Sequence, residues 1–452
     1  MLRPACLLLA STMYYWLPLS AQPLPAIETE MPLRWKTRIG NTTFRSNMLL
    51  HNGELYIGSN GTSYKDYSVI DETSGVYVLD SRSGRVKRHF AHATFGDMDV
   101  NGLMMYNNRL YFGNDNEEFL CTDLNGTILW RLPASGDVEH EPVLLNIRGR
   151  KVVVYASESG EVRAVDPAKG ATVWSYFIPE FQGWKPGDNR TVFKVQAWFS
   201  NTLALLSKPL VADLNSDGVT DLIYPGYNDK VYAVSGATGR SLWTYSNGNM
   251  LDLSAALGGT AVNPTIMLTS RIYSDSGARG TYLLTLSKQG HLLQKQLMDA
   301  ETYGAGLNTL QLPGTGALFT NAGGLALIDK TGSMQSLCRN ITYLWSGKDG
   351  QTEALPRSSG ESLLSTATFR WHQQQECIAI LHQNDNADRQ HGFLEVIDIH
   401  SRQVLHRLLL PSTAEMPPVV CDTDGDGKPE LLISCRDRML YCFSLPYNTA
   451  TP

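Results

Sequence analysis

Two runs of the sequence place oxygen side chains at one shared spacing, and that spacing suits a hard cation. In the first, Asp213, Asn215, Asp217 and Asp221 stand at positions 1, 3, 5 and 9, with Gly218 at position 6 and the carbonyl of Val219 available at position 7. In the second, Asp422, Asp424, Asp426 and Glu430 take positions 1, 3, 5 and 9, with Gly427 at position 6 and the carbonyl of Lys428 at position 7. Calcium takes roughly six to eight oxygens, and a tight glycine-containing turn aims alternate side chains and one carbonyl at a single point. The expected ligand sets are therefore Asp213, Asn215, Asp217, Val219 and Asp221, and Asp422, Asp424, Asp426, Lys428 and Glu430. A filled oxygen shell leaves no open position to activate water, so the expected role is a structural cross-link between two strands. The run Asp97 to Gly102 lacks an acid at its ninth position, where Met105 stands, and is set aside.

Such loops need strands on either side, and the chain supplies them as a repeat. Two to four β-prone apolar residues lead to Asp or Ser, then a short turn ending in Gly, then an alternating strand that often carries Trp. The clearest copies are Gly75 to Phe90, Glu118 to Leu132, Glu161 to Phe177 and Lys230 to Ser246. Weaker copies run Thr281 to Leu297, Gly324 to Leu337 and Phe393 to Leu408. The turn residues Asp80, Asp123 and Asp166 recur at a step of 43 residues, the size of one four-stranded propeller blade. The Asp side chain caps the turn and Gly takes the positive φ that a Cβ would penalise. Long helical periodicity is absent, so the expectation is an all-β chain.

The last unit, Pro417 to Pro446, offers three strands, whereas Leu33 to Ile39 offers one isolated strand with Trp35 placed as in the repeats. Pairing the two ends would close the ring and cover its edges. The expected fold is an eight-bladed β-propeller of four-stranded antiparallel blades closed by the N-terminal strand, with seven blades as the alternative. Residues 1–26 form the expected signal peptide, 27–448 one propeller domain and 449–452 a tail.

The hairpin grammar, clearest from Asp166 to Tyr176 and from Ser235 to Tyr245, resembles the PQQ-like quinoprotein propeller repeat. The runs Pro209 to Gly226 and Pro417 to Cys435 resemble FG-GAP repeats, the calcium-loop blades of integrin α heads. In repeat type the chain is also similar to the propeller lipoprotein that helps assemble outer-membrane β-barrels, although it lacks a lipid-acceptor cysteine at a cleavage site. Neither repeat specifies a function.

Composition narrows the classes further. A net charge of -6, from 38 basic and 44 acidic residues with no basic cluster, removes the electrostatic basis for nucleic-acid binding. Arg3, the apolar Cys6 to Leu19 and the small residues Ser20, Ala21 and Ala26 read as a cleaved signal peptide, too short for a spanning helix. A soluble, secreted or periplasmic monomer is expected, without a stable membrane span. Beyond the signal lie Cys121, Cys338, Cys377, Cys421, Cys435 and Cys442, which suit either disulfides or buried free thiols. The sequons at Asn41, Asn60, Asn125, Asn189 and Asn340 suit a glycosylated ectodomain equally well.

Two long steps in the repeat mark insertions near 177–209 and 340–361. The first carries Phe181, Trp184, Trp198 and Phe199, rings suited to a protein or glycan partner or, alternatively, to an inward-folded lid. The second is polar and reads as a mobile loop. Glu139, His140 and Glu141 precede a strand near the expected axial channel and read as a solvated loop, with a ligand role as the alternative. The expected function is non-enzymatic, calcium-braced binding of a protein or glycan. The alternative is a quinoprotein-type dehydrogenase or a calcium-dependent polysaccharide-active enzyme. Against catalysis stand the absence of an adjacent Cys-Cys pair, of G-x-S-x-G and of any histidine cluster.

Overall fold

A computed structural model describes residues 31–62, 71, 73–92, 98–181, 205, 207–226, 229–249, 251–272, 280–299, 309–312, 316–321, 324–329, 334–339, 343–346, 352–355, 361–371, 375–384, 392–399, 404–414 and 416–445. The expected signal peptide, the tail and the aromatics Trp184, Trp198 and Phe199 lie outside the described residues. The described residues form an all-β propeller of four-stranded antiparallel sheets. Seven sheets are each built from four consecutive strands. They span 48–90, 103–133, 143–177, 210–246, 251–299, 309–339 and 361–409. A further four-stranded sheet is composite: Val419–Cys421, Glu430–Cys435 and Met439–Ser444 are completed by Leu33–Arg38. In it Trp35 lies opposite Cys442 and Arg38 opposite Met439, antiparallel.

Alternation along the strands explains why their sequences read as continuous apolar runs. Leu55 and Ile57 pack toward the composite sheet while Tyr56, between them, packs toward the second sheet. Val152 and Val154 likewise face the fourth sheet, and Val153 and Tyr155 the second. Both faces of each such strand are buried, so period 2 shows as a choice of neighbour and not as an apolar-polar alternation. Clusters of this kind join first to second, second to third, third to fourth, fourth to fifth and fifth to sixth sheets. The strand Glu361–Trp371 lies beside the sixth sheet, and further clusters join the seventh sheet to the composite one and the composite one to the first.

The turn before each fourth strand works as its residues dictate. In the third sheet the Asp166 carboxylate accepts the backbone N–H groups of Ala168 at 2.9 Å and Lys169 at 3.1 Å. Gly170, at φ 68°, closes the turn by donating to the Asp166 carbonyl at 2.8 Å. A register shift falls just before the turn residue at Val78/Leu79, Cys121/Thr122, Ala164/Val165, Ala233/Val234, Thr285/Leu286 and Val396/Ile397. This bulge sharpens the local twist where the chain reverses.

The repeated glycine has a second task, which ties one sheet to the next. A Cβ at Gly239 would lie 2.5 Å from the indole of Trp174, on the fourth strand of the preceding sheet. The same relation holds for Gly170 with Trp130, at 2.8 Å, and Gly290 with Trp243, at 2.6 Å. Gly126 likewise faces the ring of Phe90, and Gly84 that of Trp35 from the composite sheet. The indole N–H groups of Trp130, Trp174 and Trp243 donate to Pro167, Gly236 and Lys288 carbonyls at 3.2, 3.0 and 2.8 Å. Sequence thus encodes the joint twice, once in the ring and once in the missing Cβ.

Two sequence expectations need correction here. The second insertion is not simply a loop: Tyr343–Ser346 and Thr352–Leu355, two short β-prone runs, pair as an antiparallel ribbon. Residues 342–356 also fall outside the compact unit made by 27–341 and 357–452. Second, Glu139 and His140 do not form a solvated loop, being only 9% and 3% exposed. Cys121, Cys377, Cys421, Cys435 and Cys442 are free thiols. Burial pushes the Cys121 thiol up to about 11 and that of Cys442 to about 12, so both stay protonated and inert at neutral pH.

Candidate metal centre and axial polar network

The first acidic loop joins Leu210–Ala212 to Asp221–Pro225, and the second joins Val419–Cys421 to Glu430–Cys435, so each connects the first two strands of its unit. The loops share one hydrogen-bond pattern. Asp213 accepts the N–H groups of Ser216 at 2.7 Å and Gly218 at 3.0 Å, and Asp422 those of Gly425 at 2.6 Å and Gly427 at 2.8 Å. Asn215 and Asp424 accept from the residue two further on, at 2.9 and 3.2 Å. Asp217 and Asp426 do the same toward Val219 and Lys428, each at 2.8 Å. These bonds turn the side chains of positions 1, 3 and 5 inward.

Carboxylate oxygens of Asp422, Asp424 and Asp426 lie within 4.8 Å of one another. Oxygens about 2.3–2.6 Å from a common calcium ion are separated by no more than about twice that distance, so this gathering fits the ion. Oxygen-only donors, with no sulfur or imidazole among them, select a hard cation over zinc or copper. Ser216 at φ 62° and Gly218 at φ 80° show that the first loop bends as tightly as its composition suggests.

The ninth-position acids hold a place that spacing alone does not reveal. Asp221 is fully buried and accepts the N–H groups of Leu214 at 2.9 Å and Gly236 at 3.1 Å, fixing the loop to the turn that carries Gly236. Burial pushes its pKa up, and these N–H donors oppose the shift. Glu430, 2% exposed, accepts from Thr423 N–H at 2.8 Å and its hydroxyl at 2.6 Å. Each acid thus anchors position 2 of its own loop.

The second loop also carries two arginines that sequence reasoning missed. Arg34 of the N-terminal strand bonds Asp424 and Glu430 through separate guanidinium nitrogens. Arg82, from the turn of the first sheet, donates to the Asp424 carbonyl at 2.6 Å. The hydrogen bond from Arg34 holds the Asp424 carboxyl below its ordinary range. No local motif could have announced either contact, since each joins residues more than 300 positions apart in the chain.

Glu139, His140 and Glu141 sit in a polar network assembled from segments that precede first strands. Glu139 pairs with Arg45 at 2.8 Å and accepts from Asn101 at 2.7 Å, while Glu141 binds Asn47 and Lys208. His140 Nδ1 lies 3.0 Å from the Glu141 carbonyl, its Nε2 has no partner among the described residues, and its ring is tilted against Tyr224 at 6.2 Å. Burial, with the charges of Arg45 and Lys208 adding to it, lowers its pKa to about 3 and keeps the imidazole neutral. The network locks the first four sheets together.

Of the aromatic insertion, Phe181 is described. Its ring lies tilted against that of Phe177, centroids 4.6 Å apart, and packs against the joint between the third and fourth sheets, beside Glu180, which accepts from Tyr232 at 2.9 Å. The base of the insertion is therefore folded inward. Among the described residues no helix is long and apolar enough to cross a membrane.

Comparison with known proteins identifies the class. A family model described as outer membrane protein assembly factor BamB matches residues 72–180, which hold three of the repeated turns. The crystal structure of BamB from Moraxella catarrhalis superposes with a TM-score of 0.51 at 12% identity, over 92% of this chain and 100% of that one. A europium-containing methanol dehydrogenase gives 0.54 at 14% identity, over 92% and 93%. The Dos1 propeller gives 0.59 at 11% identity, over 92% and 95%. No curated protein matches the sequence. The chain is a β-propeller, and its residues 72–180 match PQQ-like repeats. An assembly factor and an enzyme share its architecture, so the fold leaves function to the sites.

Proposed function

We propose that this chain is an exported, secreted or periplasmic, calcium-braced propeller that works as a monomer, binding a protein or glycan and not catalysing a reaction. On this reading the propeller has eight blades and the strand Leu33–Arg38 closes the ring; the composite sheet and its contacts with both neighbouring sheets support that count. The observation that carries the reading is the pair of acidic loops, which repeat one hydrogen-bond pattern at equivalent places in two blades. Asp213, Asn215, Asp217 and the Val219 carbonyl would hold one ion, and Asp422, Asp424, Asp426 and the Lys428 carbonyl the other. Asp221 and Glu430, the buried ninth-position acids, would complete each ligand set. Bound calcium supplies charge neutralisation and a cross-link between adjacent strands.

Support for binding over catalysis comes from the polar groups themselves. His140 is sealed and neutral, Glu139 and Glu141 are committed to Arg45 and Lys208, and the loop carboxylates serve as turn anchors. The match to the assembly-factor model favours a protein partner. Trp184, Trp198 and Phe199 would supply its contact surface, with Phe181 anchoring the segment. Affinity capture from the native extract tests this: wild-type protein should retain one enriched partner, and the double change Trp184→Ala and Trp198→Ala should lose it. Equal retention by both proteins would contradict the assignment of the insertion.

A further inference from the structure

The second acidic loop differs from the first in carrying an internal cation. Asp422, Asp424, Asp426 and Glu430 bring four carboxylates to it, against Asp213, Asp217 and Asp221 in the first loop. Arg34 takes one oxygen of Asp424 and one of Glu430, the third- and ninth-position acids. In the first loop the basic neighbour, Lys288, reaches the Ser216 hydroxyl at 3.4 Å and the Val262 carbonyl at 3.1 Å, touching no loop acid. A guanidinium and a calcium ion cannot share the same carboxylate oxygens without close repulsion in a partly dehydrated site.

We propose that Arg34 is a tethered counter-cation of the second loop, so that calcium binding there competes with the hold of the N-terminal strand on that loop. The inference rests on the calcium reading above and adds to it an order of affinities and a mechanical consequence. The first loop binds calcium without competition and braces its blade. The second is gated by Arg34, and filling it frees the guanidinium from Asp424 and Glu430, so that the attachment of the strand Leu33–Arg38 then depends on its backbone ladder and Trp35. Coupling between two binding events is reciprocal, so the factor by which Arg34 weakens calcium is the factor by which calcium weakens the Arg34 contact.

Calorimetric calcium titration and hydrogen exchange test this on the full chain. Wild-type protein should show two sites at least about tenfold apart, the tighter lost in Asp213→Ala and the weaker in Asp422→Ala. Arg34→Gln should tighten the weaker site about tenfold and leave the other unchanged. Arg34→Lys, which keeps the charge and loses the two-point contact, should fall between them and guards against a folding defect in the Gln variant. Calcium should speed amide exchange across residues 33–38 in wild type and leave it unchanged in Arg34→Gln. Calcium binding with both affinities indifferent to Arg34 and exchange unaltered would overturn the clasp while leaving the calcium reading intact. No calcium binding in any variant would overturn both.

Discussion

Replacing Trp174 with alanine is expected to destabilise the propeller by about 3–5 kcal/mol, the range for truncating a buried aromatic. Trp174 is 8% exposed, lies in the cluster joining the third and fourth sheets, and donates to the Gly236 carbonyl at 3.0 Å. Truncation removes the ring and leaves that carbonyl without its donor. The partner change, Gly239→Ala, should cost about 1–2 kcal/mol for a left-handed non-glycine residue and about 1–3 kcal/mol for overpacking on the indole. Because the overpacking disappears once the ring is gone, the double variant should be more stable than the sum of the two losses implies. Denaturant midpoints of the four proteins measure this. Strict additivity would show that ring and glycine do not meet.

A chain beginning at Gly40, and so lacking the strand Leu33–Arg38, should fail to hold a cooperative fold. It loses Trp35, 8% exposed, and Ile39, fully buried, both in the cluster that joins the composite sheet to the first. Deletions of that kind cost about 5–10 kcal/mol together, comparable with the whole stability of an ordinary domain. The shortened chain also bares the backbone of Met439–Ser444 as an open edge, which favours association. Circular dichroism and size-exclusion chromatography should show a broadened, early transition and oligomers, and a peptide of residues 31–40 added in trans should reverse both in part. A monomer with an unchanged midpoint would contradict the role given to this strand.

The architecture was legible because each repeat states its structure locally. Asp166 followed by Gly170 dictates a turn wherever it occurs, and the apolar run before it dictates a buried strand. Trp35 marked the N-terminal strand as a displaced member of the repeat, and its pairing with Met439–Ser444 follows that reading. The inter-sheet contact between Trp174 and Gly239 was not legible, since the repeat shows both residues without showing that they meet across sheets. The burial of His140 was hidden for a related reason: its neighbours Glu139 and Glu141 read as solvated, whereas Glu139 is buried against Arg45 and Glu141 is half-buried against Lys208, both partners coming from remote segments. The acidic loops announced their own turns, whereas the Arg34 contact needed the whole chain to be folded.

Calcium bracing of the two acidic loops is tested most directly by thermal unfolding. Ligand that binds the folded chain alone stabilises it by about 2.7 kcal/mol per site at a hundredfold excess over its dissociation constant. Chelator-treated wild-type protein should therefore unfold at a higher temperature when calcium is restored. The double variant Asp213→Ala and Asp422→Ala should show no such rise, and each single variant a part of it. A midpoint in wild type that ignores calcium, or a rise that survives in the double variant, would contradict the account.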